Sequence, residues 1–438
     1  MLKYYLRLGW KSMRRNPVMS GLMVMALGLG IAAFMTTYTV YYLMSGNPIP
    51  HKSEQLFAVQ LDNWDPNRPP TESAQDVQPQ ITFRDGDYLM HAETPATQQV
   101  LMYAASAIVQ PEGENDAPFD GSIRATYRTF FDMFDVPFLY GQAWDESDDE
   151  QRRKIVVLSR EMNETLFGGE DSVGETVRMN DTLFQVVGVI DYWQPTPRFY
   201  HVDVGRFSNV EDFFTPFGVG LDMVLMPNGN TNCWLSPDGA GVEAFLRSEC
   251  VWVQFWAELN TADQKLAYHE YLNNFVESQK ELGRYPRPTK TYISSVMEWM
   301  DVNQVVRDDN RVLVRVAFLF LLVCILNTVG LLLAKFLGKA PEVALRRAMG
   351  ASTGDVFRQN LVEVSAIGLM GGVVGIILSW FGLMLIEKLY RGYQNLVHLD
   401  LTMLIAALAI ALLSAIIAGL YPVYRVSRLS PAGLLKTQ

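Results

Sequence analysis

The chain has 438 residues, 49% of them apolar, and a formal net charge of −11. The acid is unevenly placed: residues 46–310 carry 19 Lys and Arg against 42 Asp and Glu, while the flanks are basic overall. Charge of that sign excludes a nucleic-acid footprint on the central segment, and the uncharged apolar runs around it exclude a wholly soluble chain.

In chain order, residues 1–17 place Leu2, Tyr5, Leu6, Trp10 and Met13 on one helical face and Lys3, Arg7, Lys11 and Arg14 on the other. The pattern predicts an amphipathic helix on the inner membrane surface, with Pro17 redirecting the chain; a basic, disordered leader is the alternative. Residues 18–45 form the first predicted span, because the run 18–44 holds no charge and exceeds the roughly 20 residues a helix needs to cross the hydrocarbon core. It is too long for the apolar core of a secretory signal, and no A-x-A site follows it.

Residues 46–310 suffice for one or two packed lobes. Within them, Ile155 to Leu158 reads as a buried strand, Ser159 as an N-cap, and Arg160 to Phe167 as a helix closed by Gly168 and Gly169. Asn180-Asp181 is a two-residue hairpin signal between strands at 176–179 and 183–190. The stretch 193–239, rich in Pro, Gly, Asn and aromatics, reads as an irregular second lobe. Thr261 to Gln264 is a capping box opening a helix that runs to about Leu282 and stops at Gly283. Cys233 and Cys250 share this domain, and an oxidising compartment would let them pair; two unpaired buried thiols are the alternative.

Three chemical patterns come close and fail. Gly169 to Thr176 has the glycine spacing of a phosphate loop, yet Glu175 stands where the lysine must be, so it reads as a turn. His269-Glu270 begins a zinc-protease pattern, but Asn273 replaces the second histidine. No G-x-S-x-G elbow exists. No catalytic residue, metal ligand or bound cofactor is therefore assigned to this chain.

Three further spans follow at 311–335, 363–387 and 401–424, joined by a loop at 336–362 and a short outer loop at 388–400, with a tail at 425–438. Basic residues without matching acid precede the first span, and Lys335, Lys339, Arg346, Arg347 and Arg358 crowd the loop between the second and third. Arg425, Arg428 and Lys436 follow the last. The positive-inside rule makes these regions and both termini cytoplasmic, leaving the acidic domain outside. Cys324 reads as a small apolar residue in the second span. The uncharged cores of the spans disfavour an ion-driven carrier. Asn327 and Thr328 either bond a neighbouring helix or line a passage. Gly368, Gly371, Gly372 and Gly375 give two overlapping G-x-x-x-G spacings, suited to packing within the chain or to a dimer. In the 336–362 loop, Pro341 fits a first helical turn, Glu342 pairs with Arg346, Gly350 ends the helix, and Ser352 caps a second helix leading into the third span. Such a short helix either transmits a push from a partner or simply connects.

The segment Glu342-Val343-Ala344-Leu345-Arg346-Arg347-Ala348-Met349-Gly350-Ala351-Ser352 resembles the E-x-x-x-R-R-A-x-G-A coupling helix of MacB/FtsX-type ABC transporter permeases. Gly371-Gly372-Val373-Val374-Gly375, the tail from Tyr421 to Pro431, and the outer pieces Phe130-Phe131, Leu139-Tyr140-Gly141, Val156 to Ser159, Leu166 to Gly169 and Val186 to Val189 are similar to that family in the same order. The resemblance implies an α-helical membrane protein with four transmembrane helices, one plus three, around a large α+β periplasmic core domain. It implies an inner-membrane dimer, with a second copy or a paralogue, on two cytoplasmic ABC ATPases contacted through Glu342, Val343, Leu345, Arg346, Arg347, Met349 and Gly350. A periplasmic adaptor and membrane lipid are further expected partners. The chain contains no Walker lysine loop, so ATP and Mg would be used by the partner ATPase. Ala340-Pro341 departs from the polar residues usual before the family's glutamate. Two functions stand side by side. One is ATP-driven export or extrusion by mechanotransmission, with lipoprotein or lipid extraction as a variant; the other is signalling to a periplasmic partner such as a cell-wall hydrolase. The size of the outer domain favours the first.

Overall fold

The computed structural model describes residues 16–68, 75–111, 117–203, 205–389 and 401–428. The predicted amphipathic helix before residue 16, the outer loop from 390 to 400 and the tail from 429 lie outside the described residues. The chain forms two units, Ser45–Val305 and a second made from the segments on either side.

The membrane unit begins with α1 (Pro17–Ser45). The outer unit opens with β1 (Leu56–Leu61), β2 (Ile81–Thr82), α2 (Phe83–His91), β3 (Gln98–Gln110), β4 (Phe119–Thr126), α3 (Thr129–Met133), β5 (Phe138–Gly141) and α4 (Glu146–Glu150). It continues through β6 (Ile155–Leu158), α5 (Arg160–Phe167), β7 (Thr176–Met179), β8 (Thr182–Ile190), β9 (Phe213–Pro216), α6 (Phe217–Asp222) and α7 (Val242–Leu246). It closes with β10 (Val251–Glu258), α8 (Ala262–Glu281), β11 (Thr291–Ser295) and α9 (Val296–Val302).

The local signals act where the sequence places them. Ser159 Oγ accepts from the Met162 amide at 3.1 Å, and Gly168 ends α5 in the left-handed region at φ +66°. Asn180 and Asp181 both take positive φ, +44° and +62°, which fits the tight turn that matches strand twist. Thr261 and Gln264 form the capping box of α8.

All these strands join one sheet in the order β11-β1-β10-β3-β4-β9-β6-β8-β5, with β2 on β10 and β7 bridging β3 and β8. The β4–β9 and β6–β8 pairs are parallel and the others antiparallel. The stretch expected as a second lobe is not one. It threads β9 between β4 and β6 in the middle of the sheet. Its aromatics pack against β10 and α9: Trp193 stacks on Tyr200 at 5.5 Å, Phe199 meets Trp256 of β10 edge-on at 5.4 Å, and Trp299 Nε1 of α9 donates to the Phe199 carbonyl at 3.1 Å. The aromatic content that argued for a lobe rather than a linker is instead buried against the sheet, as with Phe199 and Tyr200.

The membrane unit continues with α10 (Asp308–Gly338), α11 (Ala340–Ala348), α12 (Thr353–Leu389) and α13 (Leu401–Ser427). With α1, the long helices α10, α12 and α13 are apolar and long enough to cross a membrane. The chain is thus a multi-pass membrane protein with one span before and three after its extracytoplasmic α+β domain. Leu27, Ile31, Leu321, Ile367, Ala411 and Ala415 fill the core of the bundle. The helices overrun the predicted spans: α10 starts at Asp308 and α12 at Thr353, because the capped connecting helix runs into the third span without a break.

Candidate functional site

The short helix α11 between the second and third spans is the site that the sequence singled out. Pro341 sits in its first turn, where a missing N–H costs nothing. Glu342 Oε1 accepts from Arg346 Nη2 at 2.7 Å, and Arg346 Nη1 donates to Gln359 Oε1 of α12 at 2.9 Å. These two charged residues are therefore engaged within the chain. Val343 and Ala344 are buried against the bundle, whereas Leu345 and Met349 are 54% and 74% exposed. Arg347 Nη1 reaches the Ser427 carbonyl at 3.5 Å, tying α11 to the end of α13. Gly350, at φ +101°, turns the chain out of the helix, and Ser352 Oγ accepts from the Asp355 amide at 3.1 Å to start α12.

Behind α11 lies a cluster that sequence reading treated only as charges marking the span ends. Lys335 Nζ stands 2.8 Å from Glu363 Oε1, and both side chains are almost wholly buried. Lys335 also donates to Ser20 Oγ at 3.0 Å, and Lys339 donates to both Glu363 oxygens at 3.0 Å. One carboxylate thus gathers the foot of α10 and α12, and a serine of α1 joins them. Lys335 and Lys339 share a helix face at i,i+4 spacing, which was the one signal available beforehand.

The four glycines of α12 serve packing inside the chain. A Cβ on Gly368 would come within 2.3 Å of Ala415 Cβ and one on Gly372 within 2.7 Å of Ala411 Cβ, both on α13. Gly371 and Gly375 instead face Leu27 and Ile31 of α1, at 3.1 and 2.8 Å. Thr328 Oγ1 donates to the Cys324 carbonyl of its own helix at 2.8 Å, while Asn327 lies on the exposed side of α10. Cys324 is free and buried.

In the outer domain Cys233 and Cys250 form a disulfide. His269 Nε2 approaches the Thr291 carbonyl at 3.2 Å and Asn273 Oδ1 accepts from the Thr291 hydroxyl at 2.7 Å, so the near-miss zinc pattern clasps α8 to β11. Among the described residues no three His, Cys, Asp or Glu side chains group as metal ligands.

Two family descriptions match this chain: the MacB-like periplasmic core domain over residues 20–231 and the FtsX-like permease C-terminal over residues 315–431. Among curated proteins, a macrolide export ATP-binding/permease protein MacB of Wolinella succinogenes is 23% identical over 74% of this chain and 45% of its own length. A MacB 2 protein of Aeromonas hydrophila is 21% identical over 72% and 43%. The chain spans under half the length of these relatives. Among solved structures, the periplasmic region of MacB from Actinobacillus actinomycetemcomitans covers 57% of this chain and 92% of its own, at 14% identity and a TM-score of 0.36. The extracellular domain of YknZ, an ABC-type transporter of Gram-positive bacteria, covers 55% and 100%, at 13% identity and a TM-score of 0.33.

Proposed function

The chain belongs to the MacB/FtsX-type permeases of ABC transporters, and from that premise we propose that it couples ATP hydrolysis by a separate cytoplasmic ATPase to movement of its outer domain. The movement drives export or extrusion of a substrate from the inner membrane or periplasm. The observation that carries this reading is the build of α11, which offers an exposed apolar pair, Leu345 and Met349, on one side. On the other it is held to α12 by Arg346 and to α13 by Arg347. A partner that grips Leu345 and Met349 moves a helix already clamped to the bundle. ATP and Mg belong to that partner, and the termini and α11 face the cytoplasm.

A second permease copy completes the assembly. Asn327 lies on an exposed face of a membrane helix together with Val323, Leu326 and Gly330, and an amide facing lipid without a partner is costly. A helix of a second permease satisfies it. The size of the outer domain, Ser45–Val305, favours export with a periplasmic adaptor over signalling to a hydrolase.

The test is purification of the tagged chain from its native membrane in mild detergent, with ATPase activity and companion proteins read together. The wild type is expected to bring down an ATPase, and Leu345→Asp with Met349→Asp to lose it at least tenfold while inserting normally. Glu342→Ala alone, which breaks an internal pair, should cost far less. Equal ATPase recovery from the Leu345/Met349 variant would remove α11 as the docking element.

A further inference from the structure

Three helices of the outer domain, α2, α4 and α6, line a cavity of about 320 Å³, together with the residues from Tyr127 to Thr129 that follow β4. That volume falls within the roughly 300–1,000 Å³ usual for small-molecule sites. The helix spacings bring its two kinds of lining together. On α2, Phe83, Asp87 and Met90 fall at i, i+4 and i+7, and on α4, Glu146, Asp149 and Glu150 fall at i, i+3 and i+4, each set on one helix face.

Part of the lining is apolar. Phe83 lies parallel to Phe217 at 5.9 Å and Tyr127 stacks on Phe217 at 5.6 Å, with Met90 and Leu221 beside them. The rest is acidic, from Asp87, Glu146, Asp149 and Glu150. Arg128 and Arg152 also line the cavity, but each pairs with a carboxylate outside the lining, Asp132 at 3.3 Å and Asp222 at 2.6 Å. The acids of the cavity therefore outnumber its cations, and those cations are already engaged.

Asp149 carries the imbalance most plainly. Its oxygens accept from Trp144 Nε1 at 2.8 Å and from the Arg128 amide at 2.9 Å. Even so, burial pushes its carboxyl up to about 6, with the Asp148 and Glu146 charges adding to the effect. A carboxylate raised by burial and like charges gains from a cation placed beside it. A metal ion does not suit the arrangement, because among the described residues no three His, Cys, Asp or Glu side chains group closely enough to hold one. Dispersed carboxylates next to stacked rings match a cation whose charge sits on an apolar body.

We propose that this cavity binds a small organic cation, an amine on a ring or short apolar body, with the body against Phe83, Tyr127 and Phe217 and the ammonium among Asp87, Glu146 and Glu150. The site stands on the geometry of the outer domain and does not rest on the export reading, to which it adds a ligand chemistry.

The probe is a diazirine-bearing benzylamine, with the matching benzyl alcohol as its neutral counterpart, applied to the full chain in zwitterionic phospholipid nanodiscs. Mass spectrometry locates the label. It is expected on α2, α4 and α6, several-fold stronger with the amine than with the alcohol, and excess benzylamine should compete it away. Glu146→Gln with Glu150→Gln alters two exposed side chains and leaves the Asp145–Asp148 capping box in place, so the melting temperature should not change. The double substitution should lower amine labelling about fivefold, the value of two screened ion pairs, and leave alcohol labelling as it was. Added salt should weaken the amine alone in the same way. Equal labelling by amine and alcohol, amine labelling insensitive to the double substitution, or label centred elsewhere in the outer domain would overturn the site. So would displacement of the label by a lysine peptide at lower concentration than benzylamine, which would give the cavity to a partner protein's side chain.

Discussion

Glu211 is 2% exposed and faces two guanidiniums, Arg124 and Arg198, with the Tyr200 hydroxyl donating to it at 3.0 Å. Burial alone would raise its carboxyl, but the two arginines outweigh burial and hold it at about 2. The same burial and the same arginines push His201 down, so it stays neutral and faces Arg124 through Nδ1 at 2.9 Å. A carboxyl held below its unfolded value stabilises the fold above that value, and the stabilisation is lost as pH falls through the folded one. The loss therefore runs from about pH 4.5 down to about 2. Glu211→Gln removes the charge of a carboxylate that faces two buried guanidiniums and should cost about 3–5 kcal/mol at pH 7. Melting of the full chain across pH should show this deficit at neutrality shrinking toward pH 3; an equal deficit at both would mean the carboxylate charge is not what holds the segment. None of this was legible beforehand, because Arg124, Arg198 and Glu211 sit on separate segments and meet only when β4 and β9 pair.

At the scale of elements, legibility followed the range of the interactions. The run from β6 to β8 was readable because a cap, a left-handed glycine and a two-residue turn each act within a few residues. β9 was not, because its place depends on Ile123–Thr126 alongside and on Val157–Leu158 opposite, both far away in sequence. In the membrane unit the glycine spacing was visible but its direction was not. The two G-x-x-x-G faces look toward different helices, Gly368 and Gly372 toward α13 and Gly371 and Gly375 toward α1. At Gly368, Gly372 and Gly375 an added Cβ would clash, so Gly368→Val should cost about 1–3 kcal/mol by overpacking, and so should Gly375→Val. Survival of the folded chain after stepwise heating in nanodiscs would measure both. A substitution at Gly338, where an added Cβ meets nothing within 4 Å, should leave it unchanged. If Gly368→Val and the Gly338 substitution behaved alike, the close packing of α12 on α13 would be refuted.

For the whole molecule, the proposed coupling requires that a push on α11 be converted into motion of the spans. α11 is joined by chain to α10 and α12, which would let each move separately unless their feet were tied. Lys335, Lys339 and Glu363 supply that tie and Ser20 extends it to α1. A buried pair of this kind adds little net stability, since desolvation offsets the attraction, and apolar replacement of both partners is often neutral. On the proposed reading, its consequence would be that α10 and α12 shift together. Lys335→Met with Glu363→Leu should therefore leave the bundle within about 1–2 kcal/mol of the wild type, because Lys339 is partly exposed and can turn to water. It should also leave ATPase recovery unchanged, because Leu345 and Met349 are untouched. What should fall, by at least threefold, is the ATP-dependent distance change between two labels in the outer domain of the reconstituted complex, per ATP hydrolysed. Loss of both hydrolysis and motion would instead assign the cluster to docking, and retention of both would reduce it to a structural clasp. Glu363→Gln is the counterpart: it strands Lys335 without an anion and should destabilise the bundle by about 3–5 kcal/mol, separating the cost of a broken pair from the loss of a shared movement.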